Sequence, residues 1–505
     1  MGCTLLSRLL GFLRIALIGA LFGASGVADV WNAVFTIPNN LRKLLAEGAL
    51  SSAFIPAFSA TLLEPDGSRR ARSLARSVIT LQLLIIIPLV ILALVFSRQI
   101  ISALLSFPSA EKMAISVRLF RWVFCYLLFI SISAVLVAIL NSHSIFIVPA
   151  LTPLLFSICM IGSTLLFYRS LGIFSMAVGI LLGGLSQILF QTPAYLRMGY
   201  DFRLSLAFRD ERFKKILKTW VPVLISSSIF AINQQVAVLF ASGLEDGSTS
   251  ALSNALVFWQ LPFGIFSTSV VTVLFPRLSR QAAVEDREGL IDTLSYGLRY
   301  LLILLVPAAL VYILMGQEVI SVALERLSFT ARGTWMAARV LRAYSFGLFS
   351  LGAFTFLQRF YYAVQDFRTP LMTSAVVCIV DIILSLILKE TPMRVAGLAA
   401  ANSIAFTLGF LILLAGARKK LGRLNGRKLL ATTWRASLAN LPMALLLWLY
   451  LHLTRALWTP GSSLVNLGLL LGALLTCAII LFAIYYATGI EIIRDIIRGR
   501  IAKAC

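Results

Sequence analysis

Histidine is nearly absent from this sequence: there are two in 505 residues, His143 and His452, both in apolar surroundings. That removes most imidazole-based acid–base and zinc chemistry. The six cysteines, Cys3, Cys125, Cys159, Cys378, Cys477 and Cys505, stand 28 or more residues apart. No CxxC spacing therefore exists, and a cysteine within an apolar run behaves as a small hydrophobe. No Gly-rich phosphate loop, metal-ligand cluster or Ser/His/Asp set is visible, so the chain reads as a non-enzyme without cofactor or metal. Charge is scarce as well: 13% of residues are ionic, against about a quarter in a soluble domain.

What is plentiful is apolar sequence, 59% of the chain with a mean hydropathy of +0.93. The composition indicates one polytopic membrane body rather than several soluble domains. A formal charge of +23 would suit nucleic acid, but the basic residues sit in short clusters between apolar runs. That is the positive-inside distribution, and no nucleic-acid partner is expected. The N-terminus lacks both a basic region ahead of its apolar stretch and a small-x-small cleavage site, so it reads as retained.

A helix needs about 20 apolar residues to cross the hydrocarbon core. Segments near 5–23, 29–62, 77–97, 118–140, 146–167, 173–195, 219–242 and 250–276 qualify. Six more lie near 297–316, 338–364, 370–388, 395–416, 436–454 and 465–488, giving fourteen, the second broken at "IPNN". With the N-terminus cytoplasmic, the basic stretches 67–76, 197–218, 418–428 and the tail all fall inside, and the acidic "LEDGST" (244–249) falls outside. Both termini are then cytoplasmic. Trp220 and Trp434, after the two most basic loops, suit interfacial anchors or ordinary helix packing equally.

An internal repeat is visible. "NAVFTIP" ending at Pro38 resembles "NALVFWQLP" ending at Pro262, 224 residues on; the stretches with Pro149 and Pro370 match at an offset of 221. Six spans per half return the chain to its starting side, so the halves are parallel repeats, as in some secondary transporters. The fold expected is an all-α polytopic membrane protein of about 14 transmembrane helices, two parallel six-helix lobes plus a C-terminal helix pair. The divisions are residues 1–218, 219–417 and 418–505.

A charge at the bilayer centre costs about 2.5–3.5 kcal/mol on insertion scales. Arg8 and Arg14 lie in the first span, about 120° apart around a helix. Arg8 is near enough to an interface to snorkel. Arg14 either faces a polar cavity, snorkels or pairs with Asp29. Arg42 and Glu47 follow Pro38, where a broken helix needs a polar setting. Arg42 reads as a ligand, and Glu47 as its structural partner or a second ligand. Arginine suits forked recognition of phosphate, so several in one membrane cavity suggest an anionic, phosphate-bearing substrate. Asp381 in "VVCIVDIILSLIL" could bind a coupling cation, pair with a buried arginine or sit neutral. Arg342 and Arg359 read as structural.

"SRLLGFLRIALIGALFG", "ADVWNAVFTIPNNLRKLLAEGALSSAFIPAF" and "RFYYAVQDFRTP" resemble the MurJ/MviN family of lipid II flippases, of the multidrug/oligosaccharidyl-lipid/polysaccharide exporter superfamily. The resemblance covers essentially the whole chain. It implies two six-helix lobes around a cationic cavity, a final helix pair grooved for the lipid tail, and alternating access. The cargo implied is lipid II, undecaprenyl-diphosphate-linked disaccharide-pentapeptide, moved to the outer leaflet of the bacterial cytoplasmic (inner) membrane for cell-wall synthesis. By motif position the family's cavity arginines fall on Arg8, Arg14 and Arg42, and its acidic residues on Asp29 and Glu47. The resemblance also implies a monovalent-cation (Na+) site, of which Asp381, Ser385 and Ser403 match parts; coupling to the membrane potential is the alternative. The sequence departs from the pattern at Ile15, at Val257 and Gln260 where an Arg and a Glu are usual, and at Ala237 in the seventh span. Membrane lipids and cell-wall synthesis proteins are the partners expected, and the protomer is expected to be a monomer. A polysaccharide-unit or multidrug exporter, and a non-transporting membrane scaffold, are the competing readings.

Overall fold

The computed structural model describes residues 2–489 except 25, 45–48, 208–209, 423, 460 and 462–463. Within its helices the side chains of 2–5, 8–9, 49–53, 215, 219, 221–223, 225–227 and 428–429 are not described. The described residues form helices and no strand. They divide into two compact units, Met1–Thr249 and Ser250–Cys505.

The first unit holds α1 (Gly2–Phe22), α2 (Val27–Arg42), α3 (Ala49–Leu62), α4 (Gly67–Val95), α5 (Ser97–Leu104), α6 (Ala110–Phe124), α7 (Tyr126–Ser142), α8 (Ile147–Leu171), α9 (Phe174–Arg197) and α10 (Glu211–Ser242). The second holds α11 (Ser248–Pro262, joined at its start to the first), α12 (Thr268–Ala283), α13 (Arg287–Leu324), α14 (Ala331–Ser345), α15 (Leu348–Ala363), α16 (Arg368–Leu388), α17 (Val395–Leu421), α18 (Gly426–Thr454) and α19 (Leu464–Ala487). Among the described residues ten helices are long and apolar enough to span a bilayer, or eleven counting α14 with α15, which meet at a 47° bend. The chain is a multi-pass membrane protein.

The expected lobe boundary at residue 218 and the packing boundary at 249 differ by one helix. α10 packs on α2 and α3, and Phe213, Ile216 and Trp220 join the core formed by Phe54, Phe58, Val135, Ile139 and Tyr195. Trp220 is thereby a packing residue, while Trp434 is exposed. α2 also runs unbroken through Pro38 to Arg42. Proline deletes one helical N–H, and the helix absorbs that loss instead of ending at it.

Each unit shows the repeat in its backbone. Left-handed turns occur at Gly26 and Gly247, Asp66 and Glu285, Ser144 and Gln365, Gly172 and Arg394, and Gly199 and Gly422; subtracting the numbers gives separations of 219 to 223. The α4–α5 break at Phe96 (φ −94°, ψ 21°) has its counterpart in a kink at Met315 inside α13 (φ −113°, ψ 16°). α18 and α19 are additional to the repeat and pack on α13, where Met443, Leu447, Leu470 and Cys477 surround Met315.

Helices here approach closely by using small residues, since lipid offers no hydrophobic contrast to drive them together. A Cβ on Gly183 of α9 would lie 2.7 Å from the Phe156 ring of α8, and one on Gly184 would lie 2.9 Å from Phe129 of α7. The loops at the basic end of each unit are tied down by charge. Asp201 receives both guanidinium arms of Arg76, and Glu64 sits 2.5 Å from Arg212 and 3.0 Å from Arg70. The hydrogen bond from Arg212 is the main reason the Glu64 carboxyl is held below its ordinary range. Burial pushes the Tyr200 hydroxyl up to about 12, beside His143 Nε2 at 2.7 Å.

Candidate functional site

Arg14 lies twelve residues along α1, a helix whose one other charged residue is Arg8. Its guanidinium stands over the Phe156 ring at 5.3 Å, and Phe156 in turn meets Tyr126 of α7 at 5.6 Å. A cation over an aromatic face is stabilised by the ring quadrupole, more so where water is scarce. Gly183 makes this possible by leaving room for the Phe156 ring. Arg14 interacts electrostatically with Tyr126 and with Arg42. Arg42 ends α2, and its Nε donates to Asn39 Oδ1 at 3.1 Å. The fold therefore brings two of the three expected arginines within electrostatic range. Two like charges in one membrane body repel, a cost that an anion received beside them would offset. Arg8 lies on α1 but its side chain is outside the described residues, as is the whole of Glu47.

Asp29, the acidic residue expected in the site, meets Gly247, Thr249 and Lys112 within the first unit. It sits in the first turn of α2 and is 2% exposed. Gly247 N–H donates to its Oδ2 at 2.6 Å, and the Thr249 hydroxyl lies 2.7 Å from Oδ1 and 2.9 Å from the Asp29 carbonyl. Lys112 Nζ is 3.8 Å from Oδ2 and 2.7 Å from Asp246. These contacts engage the carboxylate in fixing the turn that leads into α11. Sequence reasoning missed Lys112 and Thr249; the acidic 244–249 loop was the available signal.

Asp381 on α16 is buried, with Asn402 Nδ2 donating to Oδ2 at 2.8 Å and Ser385 Oγ to Oδ1 at 3.3 Å. Ser403, the third residue of the expected set, instead donates to the Ala343 carbonyl at 2.6 Å. Its neighbour Asn402 takes the place beside Asp381. No group of three or more His, Cys, Asp or Glu residues suited to a metal occurs among the described residues. On α11 the departures persist as placed: Val257 is half-buried and Gln260 exposed.

The family model for the lipid II flippase MurJ matches residues 18–469, which include Asp29, Arg42 and Asp381. A relative named probable lipid II flippase MurJ, from Borreliella burgdorferi, is 32% identical over 488 residues, covering 97% of this chain and 95% of that protein. One of the same name from Haemophilus influenzae is 32% identical, covering 88% and 90%. Among solved structures, a lipid II flippase MurJ in an inward closed conformation aligns with a TM-score of 0.80 and 27% identity, covering 98% of each chain. An inward-facing multidrug MATE transporter aligns at 0.67 with 14% identity, a likeness of fold alone. The chain belongs to the MurJ lipid II flippase family.

Proposed function

We propose that this protein flips lipid II from the inner to the outer leaflet of the bacterial cytoplasmic membrane by alternating access, for cell-wall synthesis. The observation that carries this is the near full-length match to MurJ relatives in both sequence and structure. In this reading both termini are cytoplasmic and the fourteen expected segments all span. The protein transports lipid II without chemically changing it.

Arg14 and Arg42 bind the diphosphate. Forked guanidinium–phosphate pairing is strong in a site of low dielectric, and electrostatic proximity of the two arginines supports a shared anion. Asp381, with Ser385 and Asn402 in its shell, is the candidate Na+ site; the membrane potential is the other energy source in play. The protomer acts as a monomer among membrane lipids, and cell-wall synthesis proteins are its candidate partners at the basic loops.

The test is lipid II transbilayer movement in proteoliposomes, with wild type beside Arg14→Ala and Arg42→Ala at matched protein levels. Movement by wild type and its loss in both variants, with thermal unfolding unchanged, is the expected result. Movement indifferent to both arginines would relocate the site. No movement by wild type would remove the flippase reading.

A further inference from the structure

Each unit carries an arginine pair that the site above does not use. On α6 the pair is Arg118 and Arg121; on α14 it is Arg339 and Arg342. Both helices begin with alanine, and in both the arginines stand eight and eleven residues after it. Subtraction places the second pair 221 residues after the first, the offset of the internal repeat. α14 then meets α15 at a 47° bend, whereas α6 runs on through Cys125 into α7 as one span. The pairs are thus equivalent positions of a duplicated architecture.

Arg118 and Arg121 lie on the open face of α6 and Arg339 toward that of α14, while the stem of Arg342 lies beside Gly316 of α13. Ser116, Leu119, Phe120 and Val123 are buried along α6, whereas Arg118 and Arg121 are exposed; on α14, Ala337, Ala338, Val340 and Leu341 are buried and the arginines half-buried. Each pair is accompanied by an exposed tryptophan, Trp122 at 50% and Trp335 at 48%. The Arg339 guanidinium stacks over the Trp335 ring at 4.6 Å and donates to the Pro392 carbonyl. Arg121 Nε is steadied by the fully buried Ser97 hydroxyl at 2.8 Å, which leaves its terminal nitrogens to present outward. Arg342 Nε is buried without an acceptor, with Glu318 in electrostatic range as its countercharge.

Depth decides what these groups can meet. Ala110–Ser142 runs 33 residues, about 50 Å at 1.5 Å per residue, against about 30 Å of hydrocarbon. The pairs begin about 12 Å from the helix start, near the hydrocarbon boundary, where a long arginine reaches the headgroups. Trp335, about 6 Å from its helix start, and Trp122, about 18 Å from its own, lie on either side of that depth, as residues of an interfacial belt do. Within the first unit α6 starts at the end away from the basic stretches 67–76 and 197–218, and within the second α14 starts at the end away from 418–428, where Arg287 meets Leu421, so the positive-inside rule does not call for cations at either start. The anion available at a headgroup interface is phosphate.

We propose that Arg118/Arg121 and Arg339/Arg342 are a duplicated site for lipid-borne phosphate, distinct in its helices from Arg14 and Arg42. Arginine's planar fork suits this group, and an arginine at i and i+3 puts two forks on one helix face. The site deepens the flippase reading only where the phosphate is that of lipid II; binding to an ordinary anionic phospholipid is independent of that reading.

Native mass spectrometry of the full chain in detergent, titrated separately with phosphatidylglycerol, lipid II and phosphate-free diacylglycerol, tests the proposal. The variants are Arg118→Gln/Arg121→Gln and Arg339→Gln/Arg342→Gln. Each is expected to weaken binding at its own copy of the site about tenfold, read as the loss of one of two bound phosphate-bearing lipids, with diacylglycerol unchanged, and the lysine equivalents are expected to recover part of the loss. Weakening confined to lipid II assigns the site to the substrate's diphosphate; weakening for phosphatidylglycerol too assigns it to phosphate lipids generally. Folded variants that still take up two phosphate-bearing lipids, each with affinity within twofold of wild type, overturn the proposal. Where a double variant fails to fold by thermal unfolding, Arg118→Gln and Arg339→Gln carry the comparison, with about threefold weakening expected. Should wild type move no lipid II while these losses persist, the flippase reading fails and the phosphate site stands.

Discussion

The Thr249 hydroxyl lies 2.7 Å from the Asp29 carboxylate, joining residues 220 positions apart in the chain. With the Gly247 amide on the other oxygen, the carboxylate acts as an anchor for the start of α11, a place where negative charge is favoured by the exposed N–H groups. Asp29→Ala is expected to lower the unfolding free energy of the substrate-free protein by about 3 kcal/mol, because Lys112 and two donors lose a buried partner. Thr249→Val should cost about 1 kcal/mol, and the double variant less than the sum of the two. A double-mutant cycle by thermal unfolding in detergent checks this. A residue that only contacted substrate would leave the substrate-free protein's stability where it was.

Gly183→Ala tests the platform beneath Arg14. The added methyl would fall 2.7 Å from the Phe156 ring, so the ring must turn or α9 must retreat. Overpacking of this kind costs about 1–3 kcal/mol. The expected outcome is a several-fold slower lipid II flip with all arginines intact, read in proteoliposomes beside a melting curve. Flipping at the wild-type rate in a destabilised protein would show that the ring's position is immaterial to Arg14.

Ten or eleven spans among the described residues were legible because the bilayer demands length and apolarity in one continuous segment, and the repeat because prolines mark it. What escaped has a common cause. The partners of Asp29 come from α6 and from a turn more than 200 residues on, and no local pattern announces them. The seventh span's allegiance is set by which core accepts Phe213 and Trp220, which hydropathy does not encode. Asn402 and Ser403 differ by one position, about 100° around a helix, enough to send one toward Asp381 and the other toward α14. Arg118 and Arg121 against Arg339 and Arg342 were readable in principle, as an R-x-x-R recurring at the repeat offset, but single arginines at helix ends pass as interfacial residues.

A pH effect is expected at the basic end of the second unit. Burial works to raise the Asp366 carboxyl, but the Lys420 ammonium at 2.6 Å and the Thr369 amide and hydroxyl outweigh it and bring the value to about 2. A carboxyl depressed below its unfolded value of about 3.9 adds stability that is complete above that pH. The contribution is lost as pH falls through about 2. Asp366→Asn should therefore melt below wild type at neutral pH, with the gap constant down to about pH 4 and closing beneath it. A gap that persists unchanged at pH 2 would assign the loss to Asp366's capping of α16 alone.

The residues around Asp381 separate coupling from packing. Asp381→Asn keeps the shape and most hydrogen bonds while removing the charge a monovalent cation needs, so Na+ dependence of flipping should disappear. Asn402→Ala withdraws the 2.8 Å donor that orients the carboxylate, and should weaken the Na+ response about tenfold without abolishing it. Ser403→Ala removes a bond to the α14 backbone instead. It should cost about 1 kcal/mol of stability and leave the Na+ response intact. Flipping measured across a Na+ series at fixed membrane potential distinguishes the three. If all three variants flip like wild type at every Na+ concentration, Asp381 is a structural carboxylate, and the membrane potential becomes the energy source to pursue.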